Sequence, residues 1–217
     1  MKFSTLNILN DLFARHPALE CCKKSIEQAT RSLIDGFKNG GKLLVCGNGG
    51  SAADAQHIVG ELMKAFALPR KPDAEIITKL EKMYPDSAKY LTENLQGALP
   101  AISLTGETAL ITACANDMAP DLGFAQQAYG YGRKNDILLA VSTSGNSRNV
   151  IYAAQVAHVV GMKVISLTGR DGGRLRDLSD VLIVAPGDET FKIQEYHRPI
   201  YHTICLAIEN EFFGERE

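Results

Sequence analysis

One short unit recurs along the chain and limits the folds open to it: an apolar run the length of a strand, then a loop rich in glycine or hydroxyl residues. Lys42-Leu43-Leu44-Val45-Cys46 precedes Gly47-Asn48-Gly49-Gly50-Ser51 and a helical pattern from Ala52 to about Phe66. Asp136-Ile137-Leu138-Leu139-Ala140-Val141 precedes Ser142-Thr143-Ser144-Gly145-Asn146-Ser147 and a helix from Val150 to Val160, and Lys163 to Thr168 precedes Gly169-Arg170-Asp171-Gly172-Gly173. Ala101–Leu104 and Val181–Val184 read as further strands. Short apolar strands alternating with helices predict an α/β fold, a parallel sheet covered on both faces. In such a sheet ligands favour the crevice beyond the carboxyl ends of the strands, where the loops at Gly47 and Ser142 lie.

Apolar residues at helical spacing (Leu6, Leu9, Leu12, Phe13, then Ile26, Ala29, Leu33, Ile34, Phe37) predict two helices within residues 1–40, stopped by Asn39-Gly40-Gly41. A last helix is expected from near Thr190 towards Phe213. Between about 68 and 99 a charged, proline-flanked stretch with Ile76, Ile77, Leu80 and Met83 at helical spacing reads as an inserted helical excursion. The 217 residues, 45% hydrophobic, suit one domain spanning 1–217.

A formal net charge of -2 gives no field to collect nucleic acid or an anionic membrane surface, so an anionic ligand must be held locally. No segment reaches the roughly 18 consecutive apolar residues of a membrane helix, and Asn7, Asn10 and Asp11 interrupt the amino terminus before a secretory core can form. Cys21, Cys22, Cys46, Cys114 and Cys205 lack the spacing of a disulfide framework or zinc ribbon, which points to reduced thiols in the cytoplasm.

The loop Ser142–Ser147 opens a helix directly after a strand, where backbone amides and the positive helix end meet an anion without a lysine. A turn that only caps its helix has the same composition. The Gly47–Ser51 loop lacks the P-loop lysine and the dinucleotide glycine spacing, yet two such loops on neighbouring strand ends argue for one phosphorylated ligand.

His57 and Glu61 are four residues apart and face the same way on a helix; Gln194 and His202, eight apart, lie near one face of the last helix. Two imidazoles, a carboxylate and an amide oxygen make a divalent site that suits zinc. Alternatively, His57 and Glu61 form a solvated pair while His197 and His202 pack beside Tyr196 and Tyr201, since spacing alone cannot bring two helices together.

The motifs Cys46–Ser51, Ser142–Ser147, Leu167–Gly173 and Ile193-Gln194-Glu195 resemble the sugar isomerase (SIS) domain family, and within it the sedoheptulose 7-phosphate isomerases. The resemblance spans nearly all of the chain apart from 68–99. It implies a three-layer αβα sandwich with a five-stranded parallel sheet of flavodoxin-like nucleotide-binding topology. Its metal ligands fall on His57, Glu61, Gln194 and His202. Its substrate contacts fall on Asn48, Gly49, Gly50, Ser51, Glu61, Asn116, Asp117, Ser142, Thr143, Ser144, Ser147 and Gln194. It also implies a cytoplasmic homotetramer that acts on a phosphorylated sugar, with Zn2+ as cofactor. The sites would lie at subunit interfaces, so the helices bearing the two ligand pairs are expected to meet between subunits. Glu61 would be the catalytic base on carbon, and His202 would move a proton on oxygen through an enediol.

Two departures stand out. Phe191 occupies a position where the family often has aspartate, which removes or relocates a hydroxyl contact. Pro199, inside the last helix, is expected to kink it between Gln194 and His202. Two other readings are a non-catalytic phosphosugar-binding regulator, whose known examples lack the carboxylate at Glu61, and an isomerase of another phosphosugar.

Overall fold

In the computed structural model, which describes residues 1–215, the apolar runs form β1 (Leu43–Gly47), β2 (Ala101–Ser103), β3 (Ile137–Val141), β4 (Lys163–Gly169) and β5 (Val181–Ala185). They make one sheet in the order β2-β1-β3-β4-β5, with every neighbouring pair parallel. The strand order reverses at β1, so a crevice opens beyond the carboxyl ends of β1 and β3. Gly47 pairs with Val141, and Val141 with Leu167, so the loops after β1, β3 and β4 leave the sheet at one level.

The helices are α1 (Phe3–Arg15), α2 (Lys23–Lys38), α3 (Gly50–Met63), α4 (Ala74–Met83), α5 (Pro85–Asn94), α6 (Thr108–Asp117), α7 (Gly123–Tyr131), α8 (Arg148–Val159) and α9 (Thr190–Phe213), and both faces of the sheet are covered. Strand side chains alternate between two cores, as the pleat requires. Leu43, Val45, Ile137, Leu139, Ile165 and Ile183 are buried with α1, α2, α3 and α9. Leu44, Cys46, Leu138, Ala140 and Val164 are buried with α7 and α8. The three-layer α/β arrangement expected from the sequence is therefore present, and α3 and α9 share one face.

The excursion holds α4 and α5, as its spacing predicts, but α4 buries no residue and α5 only Ala88. The helices α6 and α7 fill the segment between β2 and β3; α7 buries mainly small or polar residues, Gly123, Ala125, Gln127 and Ala128 beside Phe124, and so carries no leucine stripe. The last helix runs unbroken through Pro199. It seats directly on the sheet: a Cβ at Gly169 would fall 2.5 Å from Ile193, and His197 Nε2 donates to the Thr168 carbonyl at 3.1 Å.

Candidate active site

The loops after β1 and β3 are joined by a reciprocal amide pair. Asn48 Nδ2 donates to Asn149 Oδ1 at 2.9 Å, and Asn149 Nδ2 returns a bond to Asn48 Oδ1 at 2.8 Å. Within the second loop Ser142 and Ser147 place their hydroxyls 3.1 Å apart at the start of α8. Asn146 N donates to Ser144 Oγ, and Thr143 accepts from Gly169 N. Gly145 has φ +64°, and a Cβ there would lie 1.9 Å from the Gly172 carbonyl, so only glycine lets the β3 and β4 loops pack this closely.

Two clefts flank the β1–α3 loop. One, about 430 Å³, is lined by Gly50, Ala53, Asp54, Phe191, Gln194, Glu195 and Arg198. The other, about 200 Å³, runs over Gly47, Asn48, Gly49, Thr105 and Asn149. Gln194 stands against the start of α3, where a Cβ on Gly50 would lie 2.6 Å from its amide nitrogen. Phe191 is exposed at the lip of the larger cleft and offers no hydroxyl contact. Ser51 is buried behind the loop; Asn116 and Asp117, exposed at the end of α6, hydrogen-bond to each other.

Further along the α3–α9 contact, His57 Nε2 lies 3.0 Å from Glu61 Oε1, and the His57 and His202 rings meet edge to face with centroids 4.9 Å apart. Glu61 Oε2 and His202 Nε2 are buried with no hydrogen-bond partner. Burial and the neighbouring His57 lower the His202 pKa, which favours the neutral imidazole. The His57–His202 contact between the two helices thus lies within one chain. Side-by-side packing of α3 and α9 on one sheet face is sufficient.

Comparison with known proteins identifies the family of this fold. The sequence model described as SIS domain matches two overlapping stretches, residues 14–97 and 81–169. The chain belongs to the SIS domain family, in its phosphoheptose isomerase group. It is 40% identical to the phosphoheptose isomerase of Helicobacter pylori (strain P12) over 195 residues, 90% of this chain and 88% of that one. The solved phosphoheptose isomerase of Neisseria gonorrhoeae superposes with a TM-score of 0.73 at 36% identity, covering 91% of each chain. That of Francisella tularensis superposes at 0.74 and 34%, covering 97% of this chain and all of its own. The group makes this SIS chain an aldose–ketose isomerase. The matched stretches also run through 68–97, so the excursion does not stand outside the family pattern.

Other residues of this SIS domain support the site without being legible as part of it. Tyr201, adjacent to His202, lies 3.1 Å from both Asp54 Oδ1 and His57 Nδ1. Burial, then Asp54, pushes the Tyr201 phenol up to about 12, so it stays protonated. Burial also raises the Asp54 pKa, opposed by Tyr201 and Arg198. The i, i+3 spacing of Asp54 and His57 on one helix was the available signal.

The end of α3 is held from below. Glu209 accepts from Arg70 Nε and from the amides of Phe66 and Ala67, each at 2.8 Å, while Arg70 donates to the carbonyls of Leu62 (2.8 Å) and Glu61 (2.9 Å). Both side chains are almost completely buried. The pair satisfies carbonyls that the last turn of a helix leaves open.

The donor chemistry fits a divalent cation. Nitrogen from His57 and His202 and oxygen from Glu61 are clustered; Glu61 Oε2 and His202 Nε2 are buried without a hydrogen bond, and Lys64 Nζ stands 3.5 Å from the former as an ion pair. The side chains do not converge on one point: among the described residues no three His, Cys, Asp or Glu groups form a ready metal cluster, and Gln194 sits beside Gly50.

Proposed function

We propose that this chain converts D-sedoheptulose 7-phosphate to D-glycero-D-manno-heptose 7-phosphate by proton transfer through an enediol. The observation that carries the reading is Glu61: its carboxylate is largely buried, with one oxygen against His57 and the other without a hydrogen bond, 3.5 Å from the Lys64 ammonium. A carboxylate so placed keeps an oxygen free of hydrogen bonds with which to take a proton from carbon.

The phosphate is held by the loops Asn48–Ser51 and Ser142–Ser147, whose amides and hydroxyls meet at the carboxyl edge of the sheet. His57 follows Gly50 by seven residues on α3, roughly 10 Å along the axis, a span that an open-chain heptose can bridge from its phosphate to its carbonyl. Glu61 removes the proton from C1 and returns it to C2. His202, neutral, accepts the O1 proton and delivers it to O2, so ketose becomes aldose with no net loss of protons. His57, Glu61, Gln194 and His202 would hold a divalent cation, zinc by their nitrogen and oxygen donors; when bound it polarises the sugar carbonyl and hydroxyl oxygens.

The protein is further proposed to work in the cytoplasm as a homotetramer. In support, among the described residues no helix is long and apolar enough to cross a membrane, and Val159, Tyr129 and Met83 are exposed. The subunit interface is proposed to complete the site, since within one chain the ligand side chains do not converge on one point.

The test is turnover of sedoheptulose 7-phosphate by the purified protein with divalent metal, alongside a panel of other phosphorylated ketoses, with products identified by NMR. Conversion of the heptose supports the reading, whereas preferential conversion of another ketose moves the substrate. Binding without conversion points to a regulator and overturns the enzyme mechanism.

A further inference from the structure

Asp54, Tyr201, His57 and Glu61 form an unbroken line across the α3–α9 contact. Tyr201 Oη is 3.1 Å from Asp54 Oδ1 and from His57 Nδ1, and His57 Nε2 is 3.0 Å from Glu61 Oε1. Three links need three protons. The phenol supplies one and two carboxylates none, and an imidazole that ligates a cation keeps one proton only, on the nitrogen away from the metal. One link must therefore bring two acceptors face to face.

Chemistry decides which link that is. Asp54, buried, has Tyr201 as its hydrogen-bond donor, and leaving a buried carboxylate oxygen opposite an acceptor is costly. Tyr201 therefore gives its proton to Asp54 and accepts from His57, with the Arg198 charge beside both Asp54 and Tyr201. The imidazole proton then sits on Nδ1. The open link is then the outer one, where the His57 Nε2 lone pair faces the Glu61 carboxylate and both are available to one bound cation.

We propose that Tyr201 and Asp54 are positioning residues that hold His57 as its Nδ1–H tautomer and aim its Nε2 at a divalent cation shared with Glu61. The proposal rests on the ligand reading given above. It adds to that reading a supporting shell: an imidazole whose far nitrogen is hydrogen-bonded is a better oriented and more basic ligand.

The experiment measures zinc affinity by competition with a chromophoric chelator in the wild type, Tyr201→Phe, Asp54→Asn and His57→Ala, with thermal midpoints of the metal-free proteins. The wild type is expected to bind zinc and His57→Ala to lose it. Tyr201→Phe is expected to weaken zinc by about 10- to 100-fold. Asp54→Asn, which keeps an acceptor for the phenol but not its charge, should fall between. A purely structural Tyr201 would lower the metal-free midpoint and leave zinc affinity untouched. Wild-type zinc affinity in both Tyr201→Phe and Asp54→Asn overturns the positioning role while the ligand set stands. A wild type that binds no zinc, or keeps it in His57→Ala, overturns the ligand set and this inference together.

Discussion

His57 and Glu61 stand one helical turn apart on α3 with Nε2 and Oε1 separated by 3.0 Å, while the second Glu61 oxygen is buried without a hydrogen bond, 3.5 Å from Lys64 Nζ. One carboxylate thus presents one oxygen engaged with His57 and one that accepts no hydrogen bond, and the latter is the candidate base. Glu61→Gln keeps the shape and removes the proton acceptor. Turnover is expected to fall by about 10²- to 10⁴-fold with far-UV circular dichroism unchanged. Turnover within a few-fold of wild type would remove Glu61 from the chemistry.

Gly145 joins the phosphate loop to the loop after β4. Alanine there must adopt φ +64° and place its Cβ 1.9 Å from the Gly172 carbonyl, a backbone atom that cannot swing aside. The strain is expected to cost ~1–3 kcal/mol in urea denaturation and to raise KM more than it lowers kcat, because the displaced loop binds phosphate. Stability and KM both at wild-type values would show that the two loops part freely.

Much of the fold was legible because each strand is an apolar run with its loop attached. The last helix was expected from Thr190 towards Phe213 and spans those residues. Helices α6 and α7 were not legible, since Gly123, Ala125 and Ala128 pack by being small and leave no periodic stripe. The ligand pairs could be read as pairs, but their meeting could not: it depends on α3 and α9 lying on the same sheet face, a tertiary fact. Tyr201 and Asp54 were hidden for the same reason, each being ordinary on its own helix and connected only across the contact. Pro199, for which a kink was expected, lies inside α9, which spans Thr190–Phe213.

His197 links α9 to the sheet, and burial holds its pKa down to about 4. In the unfolded chain it titrates near 6.5. Between those values the unfolded state binds more protons, so stability rises with pH. The contribution is therefore present above about pH 6.5 and lost as pH falls towards 4. Relative to His197→Gln, the wild type should lose on the order of 2 kcal/mol more between pH 7.5 and pH 5, read by urea denaturation at both values. Parallel losses would mean that the buried imidazole is not kept neutral.

Arg70 and Glu209 connect stability to chemistry. Glu209 neutralises the buried guanidinium and holds the amides of Phe66, Ala67 and Leu68, while Arg70 caps the carbonyls of Glu61 and Leu62. Glu209→Ala leaves the Arg70 charge buried and alone, which is expected to cost about 3–5 kcal/mol. The same change frees the turn that carries Glu61, so kcat should fall even where the protein remains folded, with the affinity for inorganic phosphate at the distant loops preserved. Replacing both residues, Arg70→Met with Glu209→Leu, removes the unpaired charge and should recover most of the stability. It should not recover kcat, because the Glu61 and Leu62 carbonyls remain without their donor. A double variant that regains both would show that the pair acts on folding alone.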